Sequence, residues 1–357
     1  METYKILAIN LGSTSTKLAY YENDECRVQT TLDHPIEELA VLGDVMKQDD
    51  YRRTAIEGFL SDNGIDASGL DAIASRGGHT QALEGGVYRI DETMLAQQAS
   101  GLYGRHACDV GTKIAHKMTA GTNILPVVVD PPSTDEFIEE ARLSGHPDLP
   151  RQSRFHALNH RATGKRYARD NAKHYDELNL VIAHMGGGIT VAAHRKGKMI
   201  DATNGIDGDG PFSSNRTGGL PVGALVSLCF SGRLSQQEIE TMINGRGGLT
   251  AYLNESDVRS VEEKAATDSY FALCLEAMIY QTCKEIAAMA SVLEGQVDAV
   301  IITGGIAHSD KITSRMKERI GFIAPVAIYA GENEMEALAL GALDVLRGTE
   351  PLKSIQV

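Results

Sequence analysis

Short aliphatic and β-branched runs, each stopped by glycine, set the rhythm of both halves of the chain. In the first half, residues 6–9 (Ile-Leu-Ala-Ile) lead into Asn10-Leu11-Gly12-Ser13-Thr14-Ser15-Thr16-Lys17, and Leu18-Ala19-Tyr20-Tyr21 follows. In the second half, residues 180–183 (Leu-Val-Ile-Ala) lead into His184, then Gly186, Gly187 and Gly188, and Ile189-Thr190-Val191 resumes at once. Strand, glycine turn, strand is the reading for each, because glycines between β-branched runs signal a hairpin. The pattern predicts strands over 4–9, 16–22 and 26–32, then 71–74 and 124–129, and in the second half 297–303 and 325–329. A third short strand is expected to end near Ala202. Helical spacing of apolar positions predicts helices over 51–60, 105–118 and 221–230, over 236–243, over a long region from 261 to 293, and in a closing segment to 346. A basic helix is expected to follow His156 and end near Asn171.

Two copies of the strand-turn-strand pattern, half a chain apart, imply a duplicated α/β architecture. One domain is expected over 1–150 and the other over 151–357, with the boundary between 148 and 156 and the last helix packing back on the first domain. Successive N–H groups in such a glycine turn form a concavity suited to phosphate, and glycine lets backbone and ligand approach closely. The strand over 124–129 ends at Asp130-Pro131-Pro132, and proline cannot continue a ladder, so Asp130 falls at a strand end, where α/β folds hold ligands.

A length of 357 residues is ample for two cores, and 42% hydrophobic with 23% charged residues is ordinary globular usage. The formal net charge of −14 argues against general affinity for nucleic acid or an anionic membrane. An anionic substrate therefore requires a local group of Arg, Lys, His and backbone N–H. No apolar run approaches a bilayer span and no leader is read at the start, so a cytoplasmic protein is expected. The cysteines (26, 108, 229, 274, 283) have no CxxC spacing and are expected to be buried, reduced thiols.

Neither GxxxxGK[ST] nor GxGxxG occurs, which removes the main support for P-loop and Rossmann readings. Several glycine turns at strand ends suit instead a nucleotide held in a cleft between two α/β domains. Phosphoryl transfer needs positive groups around the moving oxygens and a metal on the phosphates. Arg76 and Arg216, each followed closely by a glycine pair, can grip a carboxylate or phosphate in bidentate fashion. His156 and His184 sit at a helix start and a strand end, and His160 shares a helix face with His156. For Mg²⁺, a hard ion that wants carboxylate oxygens, Asp130 and Glu334 are the candidates; Asp201, Asp207 and Asp209 look more like turn residues. No His/Cys cluster in the sequence argues for zinc and no GxSxG elbow for a serine hydrolase.

The residues also match a family. INLGSTSTK (9–17), SRGG (75–78), VVDPP (128–132), RFHALNH (154–160), AHMGGG (183–188), SSNRTGGLP (213–221), ITGGIAHSD (302–310) and AGENEMEAL (330–338) together resemble the acetate kinase family of short-chain acyl kinases. That family lies within the larger group of sugar kinases, actin and heat-shock chaperone ATPases. The chain is shorter than a typical acetate kinase and has AHMGGG where that enzyme has an HLGNG turn, which points to the butyrate or branched-chain acid branch.

The resemblance implies two actin-like (ribonuclease H-like) domains and reversible transfer of the ATP γ-phosphoryl group to a short fatty acid carboxylate, giving an acyl phosphate and ADP. By motif, Asn10 would contact phosphate or metal-bound water, and Gly12, Ser13, Ser15 and Lys17 would line the first turn. Arg76 would hold the acid and Arg216 the transferring phosphoryl. Asp130 and Glu334 would organise Mg²⁺, with Glu332 able to take the place of Glu334. His156 and His184 would face the γ-phosphate beside Gly186, Gly187 and Gly188, and Gly304 with Gly305 would line the adenosine pocket. A homo-oligomer is expected, because the apolar face near 270–290 offers a subunit interface. Two other readings compete. A chaperone-type ATPase would carry an added binding domain, for which the chain as read leaves no room. A sugar kinase would need a carboxylate as base towards a hydroxyl.

Overall fold

The computed structural model describes residues 2–356, and the predicted strands form where the apolar runs place them. Contacts divide the chain into two compact units, Met1–Asp135 with Asn333–Val357, and Glu136–Glu332.

In the first unit, β1 (Lys5–Leu11), β2 (Ser15–Glu22) and β3 (Glu25–Asp33) form an antiparallel meander. Ile6 to Ile9 of β1 are buried, as a run apolar on both faces requires. β4 (Ala72–Ser75) pairs parallel with β1, and β6 (Leu125–Val129) parallel with β4. β5 (Val87–Arg89) and the short strand Leu352–Lys353 complete the far edge.

The second unit repeats this plan. β7 (Asn179–Met185), β8 (Ile189–Arg195) and β9 (Lys198–Ala202) are the meander. β10 (Ala299–Gly304) pairs parallel with β7, and β11 (Val326–Ala330) parallel with β10. In each sheet the first strand lies inside, its hairpin partners on one side and parallel strands on the other. This is the expected α/β fold, the actin-like, ribonuclease H-like arrangement present twice.

Helices cover the sheets through their apolar stripes. The helix Ala107–Thr119 buries Val110, Ile114 and Ala115 in the core of the first unit. The helix Ser269–Val292 buries Leu275, Met278, Ile279 and Ile286 in the core of the second. The closing helix Glu334–Leu346 buries Met335, Leu338, Ala339, Ala342 and Leu343, each large side chain contributing ~1.5–3 kcal/mol. It belongs to the first unit because it packs on β1, β4 and β6, close enough that a Cβ at Gly341 would lie 2.5 Å from Val129. The second unit begins at Glu136, ahead of the boundary expected between 148 and 156. Met199 N donates to Glu136 Oε2 at 2.7 Å and Ile138 N to Ile200 O at 3.0 Å, which ties this segment to β9.

Other expectations change. The long helical region splits into Val258–Lys264 and Ser269–Val292, because Asp268 caps the second helix by accepting from Tyr270 N and Phe271 N. The helix Asp310–Ile320 was not anticipated, although Ile312, Met316 and Ile320 recur every fourth residue on its buried side. Cys108, Cys274 and Cys283 are buried, but Cys26 and Cys229 are exposed. Cys26 lies on the edge strand β3, and Cys229 ends a helix, Val222–Cys229, that buries none of its residues. No helix among the described residues is long and apolar enough to cross a membrane.

Candidate active site

The residues singled out from sequence fall into two sets, one in each unit. In the first unit, β1 delivers Asn10 to the hairpin mouth, where its Nδ2 donates to Glu334 Oε2 at 2.6 Å. Arg76, just beyond β4, donates its backbone N–H to Ile9 O at 3.2 Å and brings Nη2 to 3.7 Å from Glu334 Oε1. Gly77 and Gly78 allow this: a Cβ at the first would collide with Val128 and one at the second with Asp109. Asn10, Arg76 and Glu334 therefore form one contact set. Lys17 faces Asn10 across the β1–β2 ladder.

Asp130 sits at the end of β6 in a left-handed backbone conformation, φ 39°, which is strained for a residue with a side chain. Gly86 holds it there: Gly86 N donates to Asp130 Oδ1 at 2.7 Å, and Asp130 N donates to Gly86 O at 2.9 Å.

The turn at Gly12, Ser13 and Ser15 rests on a residue the sequence reading passed over. Arg52 is fully buried and donates through Nη2 to Ser13 O at 2.8 Å, through Nη1 to Ser15 O at 2.9 Å and through Nε to Gln48 Oε1 at 3.0 Å. Burial lowers its pKa, and among the described residues no carboxylate pairs with it. The signal was present: Arg52 lies four residues before Ile56, on the stripe that buries Ile56, Phe59 and Leu60.

His79, Cys108 and Asp109 lie close enough to hold a metal ion. Their groups already engage one another and His106, however: His79 Nδ1 lies 3.3 Å from Asp109 Oδ1 and Cys108 Sγ 3.2 Å from His106 Nδ1. Asp109 accepts from His79 N at 2.6 Å and His106 N at 2.7 Å, and burial pushes the Cys108 thiol up to about 12.

In the second unit, β7 ends at His184 and Met185, and the glycine turn closes with Gly186 N donating to Gly188 O at 3.0 Å. Arg216 lies across this turn; a Cβ at Gly188 would strike its guanidinium, and its Nη1 donates to Gly205 O. Among the described residues it has no carboxylate partner, its buried Nε has no hydrogen-bond partner, and burial lowers its pKa. Ser213 Oγ steadies the turn by donating to Gly187 O at 2.6 Å.

The rings of His156 and His184 stack at 3.9 Å and 17°. Asn159 Nδ2 donates to Glu332 O at 2.7 Å, which turns its amide oxygen towards His184. His184 Nδ1–H therefore donates to Asn159 Oδ1, 2.8 Å away. Its Nε2 lies 3.9 Å from Glu332 Oε1. Glu332 thus keeps company with His184 and Glu334 with Asn10 and Arg76. Asp201, Asp207 and Asp209 are engaged by Arg151, Asn204 and Arg151 respectively, as turn and brace residues.

A cavity of about 760 Å³ opens beside the glycine turn, lined by Gly186, Gly187, Ser214, Gly305, Glu332 and Arg259. That volume suits a nucleotide-sized ligand. Gly304, at φ 89°, packs so closely on the Met185 backbone that no side chain fits. Asp257, Arg259 and Glu262, which also line the cavity, carried no glycine or strand-end signal in the sequence.

The acetokinase family model matches residues 148–327. A probable butyrate kinase of Clostridium botulinum is 44% identical over 352 residues, covering 98% of this chain and 99% of its own. The chain belongs to the acetokinase family. Butyrate kinase 2 of Clostridium acetobutylicum, another relative, is 43% identical over 351 residues, with 98% and 99% covered. Among solved structures, acetate kinase of Porphyromonas gingivalis superposes with a TM-score of 0.77 at 19% identity, covering 97% of this chain and all of that one. A propionate kinase of Francisella tularensis gives 0.76 at 18% identity, covering 95% and 98%. At such identities the acetokinase structures establish the shared fold.

Proposed function

We propose that this acetokinase-family chain transfers the γ-phosphoryl group of ATP reversibly to a short fatty acid carboxylate, butanoate + ATP = butanoyl phosphate + ADP, by direct in-line transfer. The observation that carries the reading is Arg216, a half-buried guanidinium without a carboxylate partner, laid over a three-glycine turn beside a nucleotide-sized cavity. Such a group seeks an anion, and a phosphoryl in flight is one. The full-length likeness to butyrate kinases supports an acid of about four carbons.

Each set of residues handles one partner. Arg76 binds the acid's carboxylate, while Arg216 and the paired imidazoles of His156 and His184 stabilise charge on the moving phosphoryl. Gly186, Gly187 and Gly305 give the nucleotide close backbone approach, Gly188 and Gly304 keep the turn tight against Arg216 and Met185, and Ser13, Ser15 and Lys17 offer donors to phosphate oxygens in a hairpin that Gly12 closes. The carboxylate is already anionic, so the chain supplies no general base; it supplies position and charge. Glu334 and Asp130 are hard oxygen donors that fit Mg²⁺, and Asn10 already binds one oxygen of Glu334. The ion, when bound, neutralises phosphate charge.

Incubation with ATP, Mg²⁺, butyrate and hydroxylamine should trap a hydroxamate, and absence of product with every acid from C2 to C6 would end this reading. The acting species is proposed to be an oligomer of identical chains. Val222, 72% exposed, Phe230, 87%, and Leu273, 63%, leave apolar surface on two helices and their margins for a second copy. Light scattering should report at least a dimer, and L273E should shift it towards monomer; a monomeric wild type would refute this.

A further inference from the structure

Behind His156 a line of side chains that phosphoryl transfer does not call on runs into the core of the second unit. His156 Nδ1 lies 2.9 Å from Thr190 Oγ1, and His160 Nε2 lies 3.0 Å from the same oxygen. His160 Nδ1 is 3.4 Å from His194 Nε2, and His194 Nδ1 is 2.7 Å from the Tyr175 hydroxyl. Thr190, His160 and His194 are fully buried, and Tyr175 nearly so. The His160 and His194 ring planes are nearly parallel, 15° apart, with centroids 5.6 Å apart, so the two nitrogens meet edge to edge. Room for the Tyr175 ring is left by Gly164, whose Cβ, were there one, would sit 2.6 Å from Tyr175 Cε2.

A neutral imidazole has one N–H and one lone pair, so each ring passes on the polarity it receives. Burial and neighbouring rings hold His160 well below the usual histidine range, and burial with the Arg161 charge takes His194 down to about 3. Both rings are neutral, which leaves the line two directions. A phenol is a much better donor than acceptor towards imidazole, and the Arg161 guanidinium, 5.6 Å over the Tyr175 ring, strengthens that bias. With Tyr175 donating to His194 Nδ1, His194 Nε2–H donates to His160 Nδ1. His160 Nε2–H then donates to Thr190 Oγ1, and the Thr190 hydroxyl proton goes to His156 Nδ1. The proton of neutral His156 is left on Nε2.

We propose that Tyr175, His194, His160 and Thr190 are positioning residues, a buried relay that sets His156 as its neutral Nε2–H tautomer, a hydrogen-bond donor without net charge. The need for such a donor lies in the stack: two cationic rings 3.9 Å apart would repel, and Asn159 wires His184 the opposite way, with its proton on Nδ1. One imidazole is thus a donor on Nε2, while the other can take a proton there beside Glu332.

The test is the proton–nitrogen correlation spectrum of the histidine rings in the ¹⁵N-labelled full chain at neutral pH. Wild type should show His156 protonated on Nε2 and bare on Nδ1. In Y175F the bias is lost, a second His156 population protonated on Nδ1 should appear, and kcat should fall about tenfold with KM for both substrates nearly unchanged. T190V cuts the line at the hydroxyl and should give the same mixture, whereas T190S should restore the wild-type spectrum, which covers the case that Y175F fails to fold. A wild-type His156 protonated on Nδ1, or a T190V spectrum identical to wild type, overturns the relay. The kinetic consequence rests on the acyl kinase reading, but the ring spectrum needs no turnover. A chain inactive on every acid would refute that reading and leave the relay to its own test.

Discussion

Arg216 and Arg76 differ in how they are held, and that difference divides their roles. Arg216 is fixed by Gly205 O and by its own burial, with its Nε unmatched, so its gain is reserved for the ligand. R216A should lower kcat about 10²–10³-fold with little change in KM, the behaviour of a group used in the transition state. R76A should instead raise KM for the acid, because Arg76 is half-exposed and already neighbours Glu334. Initial-rate kinetics with the acid and ATP varied separately checks both. The buried histidines also predict a pH response. His194 binds its proton in the unfolded chain near the ordinary histidine pKa of 6.5 but in the folded chain only near 3. Between those values the unfolded state holds more protons, so stability falls as pH drops from about 6.5 towards 3. H194Q, which cannot titrate, should flatten the slope of unfolding free energy against pH; an unchanged slope would contradict the assignment.

Among the elements, the two glycine turns are braced by different means, and each brace is testable. A methyl at Gly188 must displace the Arg216 guanidinium, so G188A should mimic R216A in kcat while leaving the melting temperature nearly unchanged. The first turn depends on Arg52, whose guanidinium satisfies two carbonyls and an amide at once. Lysine carries the charge but cannot span those directions, so R52K should cost about 2 kcal/mol in urea unfolding. That brace was visible in outline, since an arginine on an apolar helix stripe must be burying its head group. The hairpins themselves were legible because short apolar runs and the glycines between them fix them locally. The helix Asp310–Ile320, equally periodic, was legible but unread, and the break at 265–268 depends on the Asp268 cap rather than on the apolar pattern.

For the whole molecule, chain order and compact unit do not coincide. Asn333–Val357 returns to the first unit, where the closing helix buries Leu338 and Leu343. Removing 333–357 should expose the apolar faces of β1 and β4 and cause the first unit to lose its cooperative melt, whereas 136–332, contiguous and with its own core, should keep one. Calorimetry of the two truncated chains decides this. Retention of both transitions without the closing helix would mean that its packing is dispensable.

The sequence by itself determined both meanders and their main parallel strands, the paired glycine turns, the duplication and the family, because each is written in local periodicity or in short contiguous motifs; the edge strands Val87–Arg89 and Leu352–Lys353 were not among them. It also marked Asn10, Arg76, His156, His184, Arg216 and Glu334. What only the tertiary structure decided was who touches whom. Glu332 and Glu334, two residues apart, part company into different units, and Tyr175, His194 and His160 line up behind His156 from a 3₁₀ turn, a strand and a helix. Such pairings join positions far apart in the chain, and no local pattern of polar and apolar residues encodes the direction a buried side chain takes once strands and helices pack.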